Sequence, residues 1–388
     1  MIARPGKIAS GGWCGSRGLG ARRYAARVSN GRPRARDIGF HMGQLPPGEL
    51  NAITDVPGVR VGHVSLIEGR DVRTGVTAIL THLGDPFGEK TVAAAFVLNG
   101  FGKTCGLPQL AECGTLETPI LLTNTLSVPR VADAVLDWTL ARHPEAQSVN
   151  PVVGECNDAY LNDIRGRHVG AEHVIQSIDD ASGGPVAEGG IGAGVGMSCF
   201  GYKGGIGSAS RHIEHAGARY ELGALVLANF GRPEELMIDG VRVGELLRGS
   251  ELAPQSASPG GSAMVIVATD APLDARQLGR IARRGALGLA RTGSIAHHGS
   301  GDFVLAFSTP GRVPHWVNGP LLQSQAVVAD AHPLMDVLFQ GAVEAVEEAV
   351  VNALLRAETM VGREGHMREA LPVDRVRELL RRAGRLSS

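Results

Sequence analysis

The sequence has 388 residues, a formal net charge of −1 and 43% hydrophobic residues, with no apolar run long enough to span a bilayer. That length allows one large domain or two smaller ones around a substantial core. The charge balance excludes a global case for nucleic-acid or acidic-membrane partners. Glycine, at 54 residues against 4% aromatics, is the compositional outlier. Such a habit permits tight turns and close backbone approach around a site, at a cost in chain entropy.

Five cysteines at scattered spacings (Cys14, Cys105, Cys113, Cys156, Cys199) read as reduced thiols of a cytoplasmic protein rather than a disulfide framework. Cys105 and Cys113 lack the paired spacing of a zinc knuckle. Residues 1–33 carry seven arginines and lysines among Gly and Ser, with no acid before Asp37 and no apolar segment of a signal peptide. They read as a disordered basic extension or a start codon set too early, ahead of a mitochondria-like transit signal.

From Asn51 the pattern becomes ordered. Val56–Val61 and Gly75–Thr81 read as strands, Thr91–Leu98 as a strand running into the turn Asn99-Gly-Phe-Gly, and Ile120–Thr123 as a short buried strand. A helix is expected over Val128–Arg142, with Val131, Ala134, Val135 and Trp138 on one face. After a glycine-dense stretch (188–197) comes a strand at Leu222–Phe230. Residues 249–261 (GSELAPQSASPGG) are polar and proline-bearing, a linker between two patterned halves. Beyond it lie a strand at Ala263–Thr269, a helix at Asp274–Arg291, a strand at Phe303–Ser308 and a long helix over Pro333–Thr359. Strands and helices mix in both halves, which implies a layered α/β or α+β fold.

Ser262 opens a buried-type strand directly after two glycines at the end of the linker. That is the arrangement a self-cleaving hydrolase needs: the hydroxyl attacks the preceding carbonyl, and Gly261 has no side chain to obstruct it. The freed α-amine, with a reference pKa of about 7.7–8.0, can act as a base near neutral pH. A serine that merely begins a strand after a turn has the same local pattern. Gly249-Ser250 precedes no strand and would leave a mobile nucleophile, so it is set aside. The stretch EGGIGAGVG (188–196) has a G-x-G-x-x-G-like spacing but no strand before it and no helix after it, which argues against a dinucleotide loop. His297-His298 lack a metal-binding spacing and read as a loop flanking a site. Glu155, Asp158 and Tyr160 fit either a capped turn or a pocket that holds a substrate ammonium.

Taken together and in order, these segments resemble the DmpA-type L-aminopeptidase/D-amino-acid esterase and amidase family, which includes the β-peptidyl aminopeptidases. The resemblance runs from about residue 34 to 372 through NAITDVPGVRVGH (51–63), LNGFG (98–102), TNTLSV (123–128), PVVGECNDAYLND (151–163), GGIGAGVGM (189–197), KGGIGSASR (203–211), LVLANFG (225–231), GSAMVIVATDAPL (261–273) and HGSGDFVLAFST (298–309). It implies an α+β fold, an αββα sandwich similar to the N-terminal-nucleophile hydrolases with different connectivity. It also implies cleavage between Gly261 and Ser262 into an α chain (1–261) and a β chain (262–388) within one catalytic domain (34–388).

Carried over residue by residue, the resemblance makes Ser262 the nucleophile and Asn229 the oxyanion-hole donor. Ser300 and Asp302 become the serine and acid near the nucleophile (some members have Glu at the acid position), and Tyr160 and Glu155 become pocket residues, Tyr160 with a catalytic part as the phenol that hydrogen-bonds the reacting centre and Glu155 gripping the substrate amine. The implied activity is that of a serine aminopeptidase or amidase on small peptides and amino-acid amides and esters. No metal or organic cofactor is required, and a tetramer of heterodimers is expected. The alternatives are a self-cleaving acyltransferase of the ornithine-acetyltransferase type, whose cleavage residue is threonine, and an uncleaved binding protein that holds a small ligand.

Overall fold

A computed structural model describes residues 31–254, 261–317, 319–322 and 324–386. The segment expected as a basic extension therefore lies largely outside the described residues, as does 255–260 of the expected linker. Arg32 is already tied to the body of the protein, donating from Nε to Leu355 O (2.8 Å).

In chain order the elements are β1 (Arg60–Glu68), β2 (Val72–Leu80), β3 (Glu89–Gly100), α1 (Leu107–Cys113), β4 (Thr115–Leu116), β5 (Ile120–Asn124), α2 (Val128–Leu140), β6 (Val152–Cys156) and α3 (Ala171–Asp179). There follow β7 (Ser198–Cys199), β8 (Tyr202–Lys203), β9 (Gly205–His215), β10 (Ala218–Asn229), α4 (Val243–Leu247), β11 (Gly261–Thr269), α5 (Ala275–Arg291) and β12 (Ser300–Pro314). The chain closes with α6 (Leu334–Arg356), β13 (Met360–Val361), β14 (Met367–Arg368) and α7 (Val373–Arg382).

Two sheets result, one of four strands in the order β1-β2-β5-β6 and one of six in the order β4-β3-β12-β11-β10-β9. Three apolar clusters separate four layers. Val131, Val135, Val174 and Ile178 of α2 and α3 pack on Val76, Ala78 and Leu121 of the first sheet. Ile79, Leu122 and Val152 of that sheet face Leu227, Met264, Ile266 and Leu305 of the second. Val265, Val267 and Val304 on the far side of the second sheet meet Leu278 and Ile281 of α5 and Val346 and Val350 of α6. The architecture is the expected αββα sandwich.

Every residue of β11 from Ser262 to Thr269 is buried, because this central strand is covered on both faces. Its side chains alternate: Met264 and Ile266 point between the sheets, and Ala263 and Val265 toward the helices. Helix α5 begins with a capping box, in which Asp274 Oδ1 accepts from Gln277 N (2.7 Å) and Gln277 Oε1 from Asp274 N (3.1 Å).

Some boundaries differ from the sequence reading. The expected strand at 56–61 is a turn over Pro57-Gly58, and pairing starts only at Arg60. Residues 205–215, given no strand in the sequence reading, form a long strand. Glycine there serves close packing, so the β-pattern of alternating large side chains is missing.

Candidate active site

Ser262 stands at the head of β11, buried, with Asn229 of β10 directly opposite it and Gly301 of β12 on its other flank. Alternation turns both Ser262 and Asn229 toward the first sheet, where β6 crosses over β11. Gly154 permits that crossing: a Cβ there would lie 2.4 Å from Met264 Cε. The turn after β6 consequently reaches Ser262, and two N–H donors converge on its Oγ, Asn157 N at 3.2 Å and Asn229 Nδ2 at 3.2 Å.

The orientation of the Asn229 amide is settled by its other bonds. Oδ1 accepts from Ser198 N (2.8 Å), and Nδ2 also donates to Asn157 O (3.0 Å). Ser198 arrives at the end of the glycine-dense stretch, and its position depends on Lys203. That ammonium is fully buried and donates to Gly194 O and Gly204 O, both at 2.9 Å. Burial pushes Lys203 down to about 7. So the glycine stretch is a backbone platform behind the site, not a nucleotide loop.

Ser300 and Asp302 occupy the other face of the same strands. Ser300 Oγ donates to Asp302 Oδ1 (2.8 Å), and Asp302 Oδ2 is buried without a hydrogen-bond partner among the described residues. Burial raises the Asp302 carboxyl to about 6, against the opposing pull of the Ser300 hydrogen bond. What this pair faces is Gly261: a Cβ on that residue would lie 3.2 Å from Ser300 Oγ. The hydroxyl of Ser262 and the Ser300–Asp302 pair thus bracket the Gly261–Ser262 junction from two sides. Asn99, opposite Asp302 on β3, holds the approach to Ser300 by donating to the carbonyls of His297 (3.0 Å) and His298 (3.1 Å).

Glu155, at the end of β6, is buried. Lys103 N donates to Oε1 (2.9 Å) and the Thr125 hydroxyl to Oε2, which fixes the carboxylate and leaves it further acceptor capacity. Its neighbour Cys156 lies against Ser262, and burial, then the charge of Glu155, pushes the thiol well above its ordinary range. The Tyr160 ring stacks on His366 (centroids 4.6 Å apart), with the Arg368 guanidinium 3.6 Å from its centroid. Arg368 Nε donates to Ser198 Oγ (3.0 Å), so Tyr160 connects to Asn229 through Arg368 and Ser198. Asp158 instead belongs to the scaffold. It is fully buried and accepts from Asn162 Nδ2 (3.1 Å).

His297 is paired with Glu235 (2.8 Å), and no group of metal-binding side chains occurs among the described residues. Cys105, Cys113, Cys156 and Cys199 are all free thiols. No helix among the described residues is long and apolar enough to cross a membrane.

Residues 51–368 match peptidase family S58. The chain belongs to that family. It is 41% identical to the β-peptidyl aminopeptidase BapA of Sphingosinicella microcystinivorans, over 94% of this chain and 96% of that protein. The β-aminopeptidase of a Burkholderia species superposes with a TM-score of 0.84 at 42% identity, covering 91% of this chain and 99% of that one. The L-aminopeptidase D-Ala-esterase/amidase of Ochrobactrum anthropi, described as a prototype serine aminopeptidase and a variant of the N-terminal-nucleophile hydrolase fold, superposes with a TM-score of 0.85 at 37% identity. It covers 92% of this chain and 100% of its own. By family membership the present chain is a serine aminopeptidase, and neither the acyltransferase nor the binding-protein alternative is favoured.

The structure gathers the sequence-read Ser262, Asn229, Ser300 and Asp302 around the Gly261–Ser262 junction, and three of their neighbours had no part in that reading. The Asn157 donor is a backbone N–H, which no side-chain motif announces. Lys203 opens the glycine-rich KGGIGSASR segment and Ser198 directly follows GGIGAGVGM; neither drew notice because they act on Asn229 only through folded geometry.

Proposed function

We propose that the chain cuts itself between Gly261 and Ser262 and that Ser262, as the new N-terminus, is the nucleophile of aminopeptidase and amidase catalysis. The observation that carries this is the buried Ser262 hydroxyl under two converging N–H donors, from Asn157 and Asn229. In maturation Oγ attacks the Gly261 carbonyl, the C–N bond breaks in favour of an ester, and water hydrolyses the ester. The products are a Gly261 carboxylate and a free Ser262 amine.

In turnover that amine takes the Oγ proton as Oγ attacks the substrate carbonyl. The oxyanion is held by the Asn229 amide and the Asn157 N–H, donors already positioned within this buried pocket. The proton passes to the leaving amine, and water then releases the acyl group. The Ser300–Asp302 pair faces the junction from which the α-amine emerges, and an ionised Asp302 there stabilises the amine when it becomes ammonium. Glu155 receives the substrate's own ammonium, which restricts attack to N-terminal residues.

Small peptides and amino-acid amides and esters are the proposed substrates, with peptides bearing an N-terminal β-amino acid as the first class to assay, on the likeness to the β-peptidyl aminopeptidases. The four free thiols favour a cytoplasmic setting. Association as a tetramer of heterodimers is part of the same reading, checked by light scattering. The deciding experiment is an intact mass spectrum with N-terminal sequencing. Two fragments are expected, one beginning Ser262-Ala-Met-Val, and Ser262→Ala should remain one inactive chain. A Ser262→Ala protein that still hydrolyses aminoacyl amides would overturn the assignment.

A further inference from the structure

Away from Ser262, the first sheet carries a pocket of 390 Å³ that the proposed chemistry does not use. It lies between the start of β1, the turn after β2, Pro119 ahead of β5 and the C-terminal end of α2. Glu155 pairs with Thr123 near the opposite end of β5, and Thr125 follows that end, about 13–20 Å along the strand from Pro119. The volume is in the range of small-molecule sites, about 300–1,000 Å³.

The polar groups of this pocket are mostly donors. The Arg60 guanidinium has no hydrogen-bond or ion-pair partner among the described residues, and its Nε is sealed from solvent without an acceptor. Trp138 Nε1, which can only donate, is buried and unpaired as well. Arg142 lies with its guanidinium 4.0 Å from the Trp138 ring centroid and commits Nη1 to Trp138 O (2.9 Å).

The acceptors nearby are already taken. Asp85 accepts from Phe87 N (3.1 Å) and Gly88 N (2.9 Å) and lies 3.0 Å from His143 Nε2. His82 accepts from Gly84 N at Nδ1, so its proton is on Nε2, facing Glu89 O. The Arg60 Nε and the indole N–H therefore await an acceptor, while Leu80, Pro86, Pro119 and the Trp138 ring supply apolar wall. A buried donor without an acceptor is costly, and an incoming anion would remove that cost. Chloride or phosphate would satisfy the donors but leave the wall uncovered.

We propose that this pocket is a second ligand site, separate from the peptidase centre, for a small monocarboxylic acid with an apolar or aromatic body. The carboxylate is received by Arg60 and Trp138 Nε1, and the body lies against Pro119 and the indole.

The chain's own tryptophans report on it: of the three, Trp138 lines the pocket and the Trp316 ring lies 5.9 Å from that of His143. Titration of the mature protein with phenylacetate should give a saturable change in tryptophan emission. Acetate and 2-phenylethanol, each holding one half of the recognition, should give none over the same range. Arg60→Met should weaken phenylacetate at least tenfold, with hydrolysis of an aminoacyl p-nitroanilide unchanged as proof of a folded, working enzyme. Trp138→Phe keeps the aromatic wall without the N–H and should weaken binding several-fold by calorimetry. Equal binding of 2-phenylethanol, unchanged phenylacetate affinity in both variants, or no saturable binding by the wild type would each overturn the proposal.

Discussion

Asp302 offers the sharpest test of how the site works, because its environment sets a pH signature. Burial holds its carboxyl at about 6, and its only described side-chain hydrogen bond is the one from Ser300. In the proposed mechanism the Ser262 α-amine acts as base only when deprotonated, with a reference pKa of about 7.7–8.0. If Asp302 must also be ionised, two deprotonations govern kcat/KM, which reports the free enzyme.

Between about pH 7 and about pH 5 the amine alone lowers the rate by about 10²-fold, and Asp302, falling from about nine-tenths to about one-tenth ionised, adds about tenfold. A plot of log kcat/KM should therefore steepen from slope one to slope two below about pH 6. In Asp302→Asn the slope should remain one, with a lower plateau. The assay is hydrolysis of an aminoacyl p-nitroanilide by the matured fraction, its cleavage verified by mass. An Asp302→Asn profile that keeps the wild-type second limb would refute the reasoning and place that ionisation elsewhere.

Asn229→Ala should lower kcat by about 10²–10³-fold with little change in KM, since the lost donor acts on the oxyanion. Steady-state kinetics check this; a change confined to KM would point to substrate binding instead. Asp158 is held at about 7 by burial, above its ordinary 3.8, so the folded protein binds more protons than the unfolded chain between those values. Its contribution to stability is present below about pH 4 and lost as pH rises through about 7, so Asp158→Asn should raise Tm relative to wild type at alkaline pH and lose that advantage near pH 4. Lys203, depressed from 10.5 to about 7, has the opposite slope: the folded state binds fewer protons in that window, and stability rises with pH across it. Lys203→Met leaves the Gly194 and Gly204 carbonyls unsatisfied at about 1–3 kcal/mol each, and its Tm deficit against wild type should widen from about pH 7 to about pH 9.

Much was legible before folding. The apolar run at 263–269 marked a strand buried on both faces, and it is the central β11. The three-to-four spacing of Val131, Ala134 and Val135 marked α2, and the helix read over Asp274–Arg291 is α5. Ser262 behind two glycines was legible as a candidate nucleophile, and the ordered motifs named the family. These features are local: residue type and spacing act on the chain's own backbone, whatever packs on it later.

The tertiary structure decided what depends on layers meeting. Only the crossing of β6 over β11 brings the Asn157 N–H to Ser262 Oγ, and only the pairing of β11 with β12 places Ser300 and Asp302 on the Gly261 side of the strand. The role of Lys203 behind Asn229 and the donor-rich pocket around Arg60 arise in the same way, from residues far apart in the chain. A backbone donor has no residue signature, and a side chain's partners follow from which faces are buried together. Sequence periodicity therefore named the elements, and residue type marked the candidate nucleophile, while sheet-on-sheet packing chose the groups that surround it.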